Sequence, residues 1–217
     1  MPKIKFSLLS IIGGLTLLSS SAYAGVDAEV SYILNTLLFL IGGFLVMWMA
    51  AGFAMLESGL VTSKSVATIA AKNIGLYSIA GLMFWLVGYN LAYGIPEGGF
   101  IGSFLPWSDA SAVDTGYSDG SDWFFQMVFC ATTCSIVSGT LAERIKIWPF
   151  FLFCAILAGV IYPIEMGWQW GGGHLAAAGF SDFAGSTLVH SAGAAAALAG
   201  ALLLGPRLGR FTDSGEA

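Results

Sequence analysis

The sequence predicts an all-α, multi-pass membrane helix bundle, because it is strongly apolar, poor in charge and divided into long hydrophobic runs. Of its 217 residues, 57% are hydrophobic and only 10% are charged, whereas a soluble domain carries about 25% charged residues. The mean hydropathy is +0.81. The net charge of −5 has the wrong sign for binding a phosphate backbone, so nucleic acid is not an expected partner.

The first segment of the chain has the pattern of a secretory signal peptide. Lys3 and Lys5 form a basic start, an apolar stretch covers residues 8–18, and Ala22-Tyr23-Ala24 fits a cleavage site. We therefore predict a signal peptide over residues 1–24 and a mature membrane domain over residues 25–217. An uncleaved first span is the alternative, which the short apolar run and its small, polar flanks disfavour.

Five long apolar segments follow, and each is close to the length that crosses a bilayer as a helix. They cover residues 30–55, 66–93, 124–141, 147–168 and 183–204. Their apolar runs are continuous rather than alternating, so membrane strands are not a serious alternative. The sequence thus predicts five transmembrane helices.

The charges of the connecting segments predict how these helices are oriented. With the mature N-terminus outside, all six basic residues beyond the signal peptide fall on the inner side of the membrane; these are Lys64, Lys72, Arg144, Lys146, Arg207 and Arg210. The outer loop over residues 94–123 carries five acidic residues and no basic one. This distribution satisfies the positive-inside rule and supports an outer mature N-terminus.

Few ionisable groups lie within or beside the spans, and such groups are functional candidates because they are costly in lipid. Glu57 ends the first span and is interpreted as a structural link at the inner surface. Glu143 and Arg144 end the third span and, with Lys146, are interpreted as an interfacial ion cluster that fixes helix ends. Glu165 lies near the outer end of the fourth span.

Asp182 and His190 are the most informative polar pair. Asp182 precedes the fifth span and can cap its N-terminus, or support an outer cation site through the backbone that it holds. In a continuous helix, His190 would lie about 12 Å deeper in the bilayer. Its imidazole can form a packing hydrogen bond to a neighbouring helix or handle a small charged substrate, and position alone leaves both readings open.

Aromatic residues cluster near the outer face. Trp170 precedes three glycines, and Phe125 and Phe129 are four residues apart and therefore share a helix face. Ring faces attract cations, but an interfacial belt with core packing is the simpler explanation of this spacing.

Metal or redox chemistry has little support in the sequence, and no cofactor is expected. Cys130, Cys134 and Cys154 lie in apolar runs and are interpreted as small packing residues. A metal site or membrane enzyme built on His174, His190 and Asp182 remains a weak alternative, because their spacing matches no usual ligand pattern.

Seven motifs, in order, carry a resemblance to the ammonium transporters of the Amt/Mep/Rh superfamily, in the bacterial Amt branch. They are Gly52-Phe-Ala-Met-Leu-Glu-Ser-Gly59, Lys72-Asn73, Phe84-Trp-Leu-Val-Gly-Tyr89, Ser138-Gly-Thr-Leu-Ala-Glu-Arg144, Trp170-Gly-Gly-Gly173, Asp182-Phe-Ala-Gly-Ser-Thr-Leu-Val-His190-Ser-Ala-Gly193 and Leu204-Gly-Pro-Arg-Leu-Gly-Arg210. The resemblance covers nearly the whole mature chain.

The resemblance implies a role for each candidate residue. Trp170 matches the outer tryptophan that receives ammonium, and Asp182 matches the aspartate that supports this site. Phe125 and Phe129 match the stacked rings at the pore entrance. His190 matches the first of two pore histidines that carry the proton or bind the dehydrated substrate. The implied substrate is ammonium or ammonia, and the implied protein is a transporter rather than an enzyme.

The resemblance also implies a larger assembly in the bacterial inner membrane. Members of the family resemble an eleven-span chain of two inverted five-span halves with a last helix, and this sequence matches the first half. We expect it to be a fragment or a truncated gene product, lacking the partner histidine, the outer serine and the inner tail that meets a regulatory signalling protein. A homotrimer is implied. An ammonium sensor with little flux is the alternative function.

Overall fold

The computed structural model describes residues 27–211 and 214–215. The predicted signal peptide lies outside the described residues, so its cleavage remains a prediction. Within the described part the chain is helical and contains no strand, which confirms the predicted all-α class.

The residues that the structure describes form eight α-helices, α1 to α8 in chain order. They are α1 (Ala28–Leu60), α2 (Val66–Met83), α3 (Tyr89–Tyr93), α4 (Asp119–Leu141), α5 (Ile147–Ile156), α6 (Tyr162–Gly167), α7 (His174–Ala177) and α8 (Leu188–Leu204). Short 3-10 turns cover Ser63–Ser65 and Val113–Thr115, and π-helical turns cover Phe84–Gly88 and Leu157–Ile161. Each π-helical turn joins the helices on either side of it into one longer rod.

Within residues 27–211, four helical rods are long and apolar enough to cross a membrane. They cover Ala28–Leu60, Ser63–Tyr93, Asp119–Leu141 and Ile147–Gly167, and they correspond to the first four predicted spans. The fifth predicted span differs from the structure, because α8 begins at Leu188 and has only 17 residues. Residues 183–187 form a turn, since the carboxylate of Asp182 binds their backbone N–H groups and takes the place of a first helical turn.

The central helix of the bundle is α4, which packs against α1, α2 and α8. Its buried residues include polar Thr132, Thr133 and Ser135. The hydroxyls of these residues donate to backbone carbonyls one turn earlier, at Val128, Phe129 and Ala131. Internal bonding of this kind lets polar residues lie in an apolar bundle without unsatisfied donors.

The outer surface of the bundle is apolar, as expected for a protein in contact with lipid. On α1, Leu38 and Trp48 are 67% and 70% exposed, whereas Gly43 and Glu57 are the buried residues of this helix. Exposed apolar area on this scale marks a membrane or protein contact. The chain is therefore a multi-pass membrane protein.

The two π-helical turns pack against each other. Phe84 and Gly88 are buried in the first, and Leu157, Ala158 and Gly159 are buried in the second. A π turn inserts an extra residue and shifts the faces of the helix on either side of it. The pair of turns thus sets which side chains of α3 and α6 point into the bundle at its outer end.

The outer loop over residues 94–118 is held against the helices by hydrogen bonds. Asn90 donates to the carbonyls of Leu105 and Pro106 at 2.9 and 3.0 Å, and Asn35 donates to Gly116 at 2.9 Å. These contacts fix the loop above the ends of α1 and α3, beside the aromatic cluster described next.

Candidate functional site

The aromatic residues singled out from the sequence meet at the outer end of the bundle. The ring centroids of Phe125 and Phe129 are 5.1 Å apart at 85°, and those of Phe129 and Trp170 are 5.7 Å apart at 67°. Both pairs have the edge-to-face geometry that aromatic rings favour. Together with three further residues, Tyr93, Gln126 and Phe183, they line a cavity of about 250 Å³. We call this space the outer aromatic cavity.

Asp182 organises the backbone beside this cavity. Its two carboxylate oxygens accept hydrogen bonds from the N–H groups of Gly185, Ser186, Thr187 and Leu188, at 2.8, 3.2, 2.8 and 2.8 Å. Burial alone would raise the pKa of Asp182, but these four donors outweigh it and hold the pKa below its ordinary value. The carboxylate thus stays negative next to the cavity.

The same residue also positions the indole of Trp170. The indole Nε1–H donates to the backbone oxygen of Asp182 at 2.6 Å. Its ring is thereby tied to the turn that the Asp182 carboxylate holds together. The bonds from Thr187 and Leu188 to the Asp182 carboxylate are those of the helix cap predicted from the sequence. The hydrogen bond between the Trp170 indole and Asp182 was not predicted.

Gly185 lies close to Trp170 and forms a hydrogen bond with His190. Its φ of +80° suits glycine, and a Cβ at this position would lie 2.5 Å from Cγ2 of Val189 and 3.2 Å from Cη2 of Trp170. The carbonyl oxygen of Gly185 lies 3.0 Å from Nδ1 of His190. Gly185 therefore leaves no room for a side chain beside the indole of Trp170, and its carbonyl oxygen contacts the imidazole of His190.

His190 lies in the first turn of α8, not two turns inside a helix. The prediction of about 12 Å of depth was wrong, because residues 183–187 are not helical. Since a carbonyl oxygen only accepts, the contact with Gly185 requires a proton on Nδ1. In the neutral imidazole Nε2 then carries the lone pair, and His190 is exposed in this chain.

A second polar cluster, at the inner end of the bundle, is structural. Lys72 Nζ lies 2.9 Å from Glu57 Oε2, with side chains only 5% and 2% exposed, and it donates to the carbonyl of Ser138 at 2.8 Å. Ser138 and Asn73 also donate to Glu57, at 3.0 and 3.3 Å. The cluster joins α1, α2 and α4, so Lys72 lies buried within α2 rather than in the inner loop where the charge pattern placed it.

Glu143 and Arg144 connect the inner ends of helices, but not through the ion cluster with Lys146 that the sequence predicted, because Glu143 pairs with Arg207 and Arg144 binds a backbone carbonyl. Glu143 accepts from the hydroxyl and N–H of Thr62, at 2.5 and 3.0 Å, and lies 3.4 Å from Arg207 Nη1. Arg144 Nη1 donates to the carbonyl of Gly205 at 2.7 Å. These contacts connect the ends of α1, α4 and α8.

The weak alternative of a metal site has no support from the geometry. Among the residues that the structure describes, no group of three His, Cys, Asp or Glu side chains could hold a metal ion. His174 stacks on Phe100 with centroids 4.2 Å apart and packs against Trp168. His190 instead forms a hydrogen bond with Gly185, so the two histidines have different contacts.

Sequence reasoning missed three residues of the outer aromatic cavity, Tyr93, Gln126 and Phe183. Gln126 interrupts an apolar run between the two selected phenylalanines, and this polar position was a usable signal. Phe183 follows Asp182 directly and is fully exposed in the chain. Tyr93 ends α3 and comes close only through the packing of that helix.

Comparison with known proteins finds that the chain is similar to ammonium transporters. The family model described as "Ammonium Transporter Family" matches residues 37–217. An ammonium transporter, Amt2, of Archaeoglobus fulgidus is 42% identical over 192 residues, which are 82% of this chain and 40% of the relative. An ammonium transporter of Aquifex aeolicus is 36% identical over 199 residues, covering 89% of this chain and 47% of the relative.

Solved structures agree with this placement. A structure titled "Sensor Amt Protein" superposes with a TM-score of 0.77 at 33% identity, over 84% of this chain and 47% of that chain. Mep2 of Candida albicans superposes with a TM-score of 0.72 at 26% identity, over 84% of this chain and 42% of that chain. The chain thus spans less than half the length of these relatives.

Proposed function

The chain belongs to the Ammonium Transporter Family, and on that premise we propose that it takes up ammonium from outside and passes it across the membrane. The observation that carries this proposal is the outer aromatic cavity, with Trp170, Phe125 and Phe129 around it and the Asp182 carboxylate held behind it. A bare cation is costly to move out of water. Ring faces and a fixed negative charge offset part of that cost.

We propose that Trp170 provides the first contact for the cation. A cation over an indole face gains about 0.5–2 kcal/mol, more when water is excluded. The hydrogen bond from Nε1 to Asp182 keeps the ring from rotating freely. Phe125 and Phe129 lie next on the path, and their edge-to-face pair would exclude water from the space beyond the cavity.

His190 is proposed to handle the substrate after its water is lost. Its Nδ1 is committed to the Gly185 carbonyl, so its Nε2 lone pair can accept a hydrogen bond or a proton from ammonium. Ammonia and a proton would then cross by different means. The only bond change in this path is the transfer of a proton from an ammonium N–H to Nε2 of His190, which leaves ammonia, and the path needs no cofactor; we therefore propose a transporter and not an enzyme.

We place the protein in the inner membrane of a bacterium, with its mature N-terminus on the periplasmic side. The support is the inner position of the basic residues and the predicted signal peptide. A homotrimer and a regulatory signalling protein at the inner surface are further parts of the proposal, which rest on resemblance to the family.

Current measurements on protein-containing lipid vesicles test the proposal. A step in external ammonium should evoke a saturable current that protein-free vesicles lack. Trp170→Ala should weaken the apparent ammonium affinity by a factor of about 2 to 30, equivalent to about 0.5–2 kcal/mol. Trp148→Ala is the matched control, because Trp148 is 77% exposed on α5 and contacts Phe151 instead.

The outcome also separates the transporter from the sensor. Similarity to a structure titled "Sensor Amt Protein" supports ammonium sensing as the second candidate function. Saturable binding of ammonium, followed by the intrinsic tryptophan fluorescence of the protein, without current would favour a sensor. Neither binding nor current would contradict both functions.

A further inference from the structure

A cavity lined by three arginines lies just beyond the end of α8. Its volume is about 370 Å³, and its lining residues are Arg144, Pro206, Arg207, Arg210 and Phe211. Among the residues that the structure describes, no acidic side chain lines it. It shares no residue with the outer aromatic cavity. We call this space the arginine cavity.

The backbone turn after α8 brings Arg207 and Arg210 close together. The N–H of Arg210 donates to the carbonyl of Arg207 at 3.1 Å, which closes a tight turn. Gly209 takes the third position of this turn with a φ of +73°, a conformation that suits glycine. Leu208, at the second position, is fully exposed. The turn thus places two arginines side by side next to an exposed apolar side chain.

The guanidinium groups of Arg144 and Arg207 are held in place by backbone carbonyls. Arg144 Nη1 donates to Gly205 at 2.7 Å, and Arg207 Nη1 donates to Leu60 at 3.0 Å. Each guanidinium carries more N–H groups than these bonds use, so both keep donors for a ligand. Because the two groups are already fixed, an anion that binds them costs less ordering of side chains.

The positive charge of the arginine cavity is only partly compensated. Within the described part of the chain, Arg207 lies 3.4 Å from Glu143, whereas Arg144 and Arg210 form no ion pair. The guanidinium of Arg210 lies over the ring of Phe211, with 5.8 Å between Cζ and the ring centroid. Arginine forks match the oxygens of a phosphate group in bidentate contacts. The arrangement therefore suits a phosphate anion.

Apolar residues beside the arginines favour a lipid as the source of this phosphate. Leu203, in the last turn of α8, is 86% exposed, Leu208 is fully exposed and Phe211 is 52% exposed. Basic pockets between membrane helices on the inner side bind anionic lipid head groups. We propose that the arginine cavity binds the phosphate of an anionic phospholipid, whose acyl chains contact these apolar residues. This inference uses the proposed orientation of the chain and does not depend on ammonium transport.

Thermal unfolding of the full chain in detergent, with increasing phosphatidic acid, tests the proposal. The unfolding temperature should rise saturably, and its concentration dependence gives the apparent affinity. Phosphatidylcholine with the same acyl chains should cause little rise, because its choline neutralises the phosphate. Arg210→Gln should weaken the affinity for phosphatidic acid by about fivefold. Lys146→Gln is the matched control, since it removes the same charge from an exposed residue of the inner surface outside the cavity.

Two comparisons decide between a lipid site and simpler explanations. Inorganic phosphate, titrated alone, should bind more weakly than phosphatidic acid because it has no acyl chains; equal affinity would overturn the lipid as the ligand. Equal weakening by Arg210→Gln and Lys146→Gln would show attraction by surface charge alone and overturn the site. Should Arg210→Gln not fold, Arg210→Lys keeps the charge but loses the planar fork and should weaken the affinity in the same direction. An unchanged affinity in that variant would overturn the proposal.

Discussion

Trp170 and Asp182 are joined by a hydrogen bond of 2.6 Å from the indole Nε1 to the backbone oxygen of the aspartate. The carboxylate of the same aspartate accepts four backbone N–H groups of the following turn. The position of the outer ring therefore depends on a buried charge that does not touch the ring itself. A change at Asp182 should be detected at Trp170.

Asp182→Asn should destabilise the turn and displace the indole. The new NH₂ group would face N–H donors that have no other partner, and each unsatisfied buried donor costs about 1–3 kcal/mol. With two donors lost, we expect a loss of about 2–6 kcal/mol in unfolding free energy. Thermal unfolding and the emission wavelength of tryptophan fluorescence measure the two effects.

Asp109→Asn is the matched control for this change. Asp109 is an outer-loop carboxylate that also holds its own turn, by accepting from the N–H and hydroxyl of Ser111. It lies outside the aromatic cluster, so its substitution should leave ammonium affinity and tryptophan emission unchanged. Equal effects of the two substitutions would refute a special role for Asp182.

His190→Ala should abolish or change the charge carried per ammonium ion transported. The reason is that Nδ1 is bound to Gly185 and only Nε2 can take part in proton transfer. Simultaneous measurement of current and ammonium flux in vesicles gives the ratio of charge to substrate. His174→Ala is the control, because that imidazole stacks on Phe100 away from Gly185; an unaltered ratio in His190→Ala would contradict the role.

The fold class and the first four spans could be predicted from the sequence because hydrophobic length and charge asymmetry are local properties. The start of the fifth helix could not. The sequence around Asp182, Gly185 and Ser186 is compatible with a helix that starts at residue 183 or at residue 188. The four hydrogen bonds to the Asp182 carboxylate hold residues 183–187 in a turn and place the start at Leu188. The depth predicted for His190 was wrong because it depended on where this helix starts.

The buried pair of Glu57 and Lys72 illustrates a different limit. Each residue could be recognised as polar and close to a span end, but their contact joins separate helices and depends on how these pack. The same holds for Tyr93, which reaches the outer aromatic cavity from α3. Phe125 and Phe129 were predictable as a pair because helical spacing alone brings them together.

Lys72→Met should destabilise the bundle strongly, by about 3–5 kcal/mol, because it leaves the buried Glu57 carboxylate without its counter-ion. Adding Glu57→Gln should recover part of this loss, since a neutral amide can still bond Ser138. Thermal unfolding in detergent measures both. Lys64→Met, an exposed lysine on the same inner face, is the control, and a Lys72→Met protein as stable as this control would contradict the prediction.

Glu143 combines a strained backbone with strong side-chain contacts at the inner surface. Its φ of 61° lies in the left-handed region, which is unfavourable for a residue with a Cβ. The Thr62 hydroxyl and N–H, with the Ser65 hydroxyl, lower the pKa of Glu143 from 4.5 to about 2. The contacts of the ionised carboxylate therefore help to hold this backbone conformation.

This pKa predicts how the stability contributed by Glu143 depends on pH. Because the pKa is lower in the folded protein, the contribution is fully present above pH 4.5 and is lost as the pH falls toward about 2. The difference in unfolding temperature between the unmodified protein and Glu143→Gln should thus be constant from pH 7 to pH 5 and shrink below that range. Glu97→Gln, an exposed position in the outer loop, is the control for the same change of residue type. A difference that stays constant down to pH 2.5 would show that the ionised form of Glu143 adds no stability.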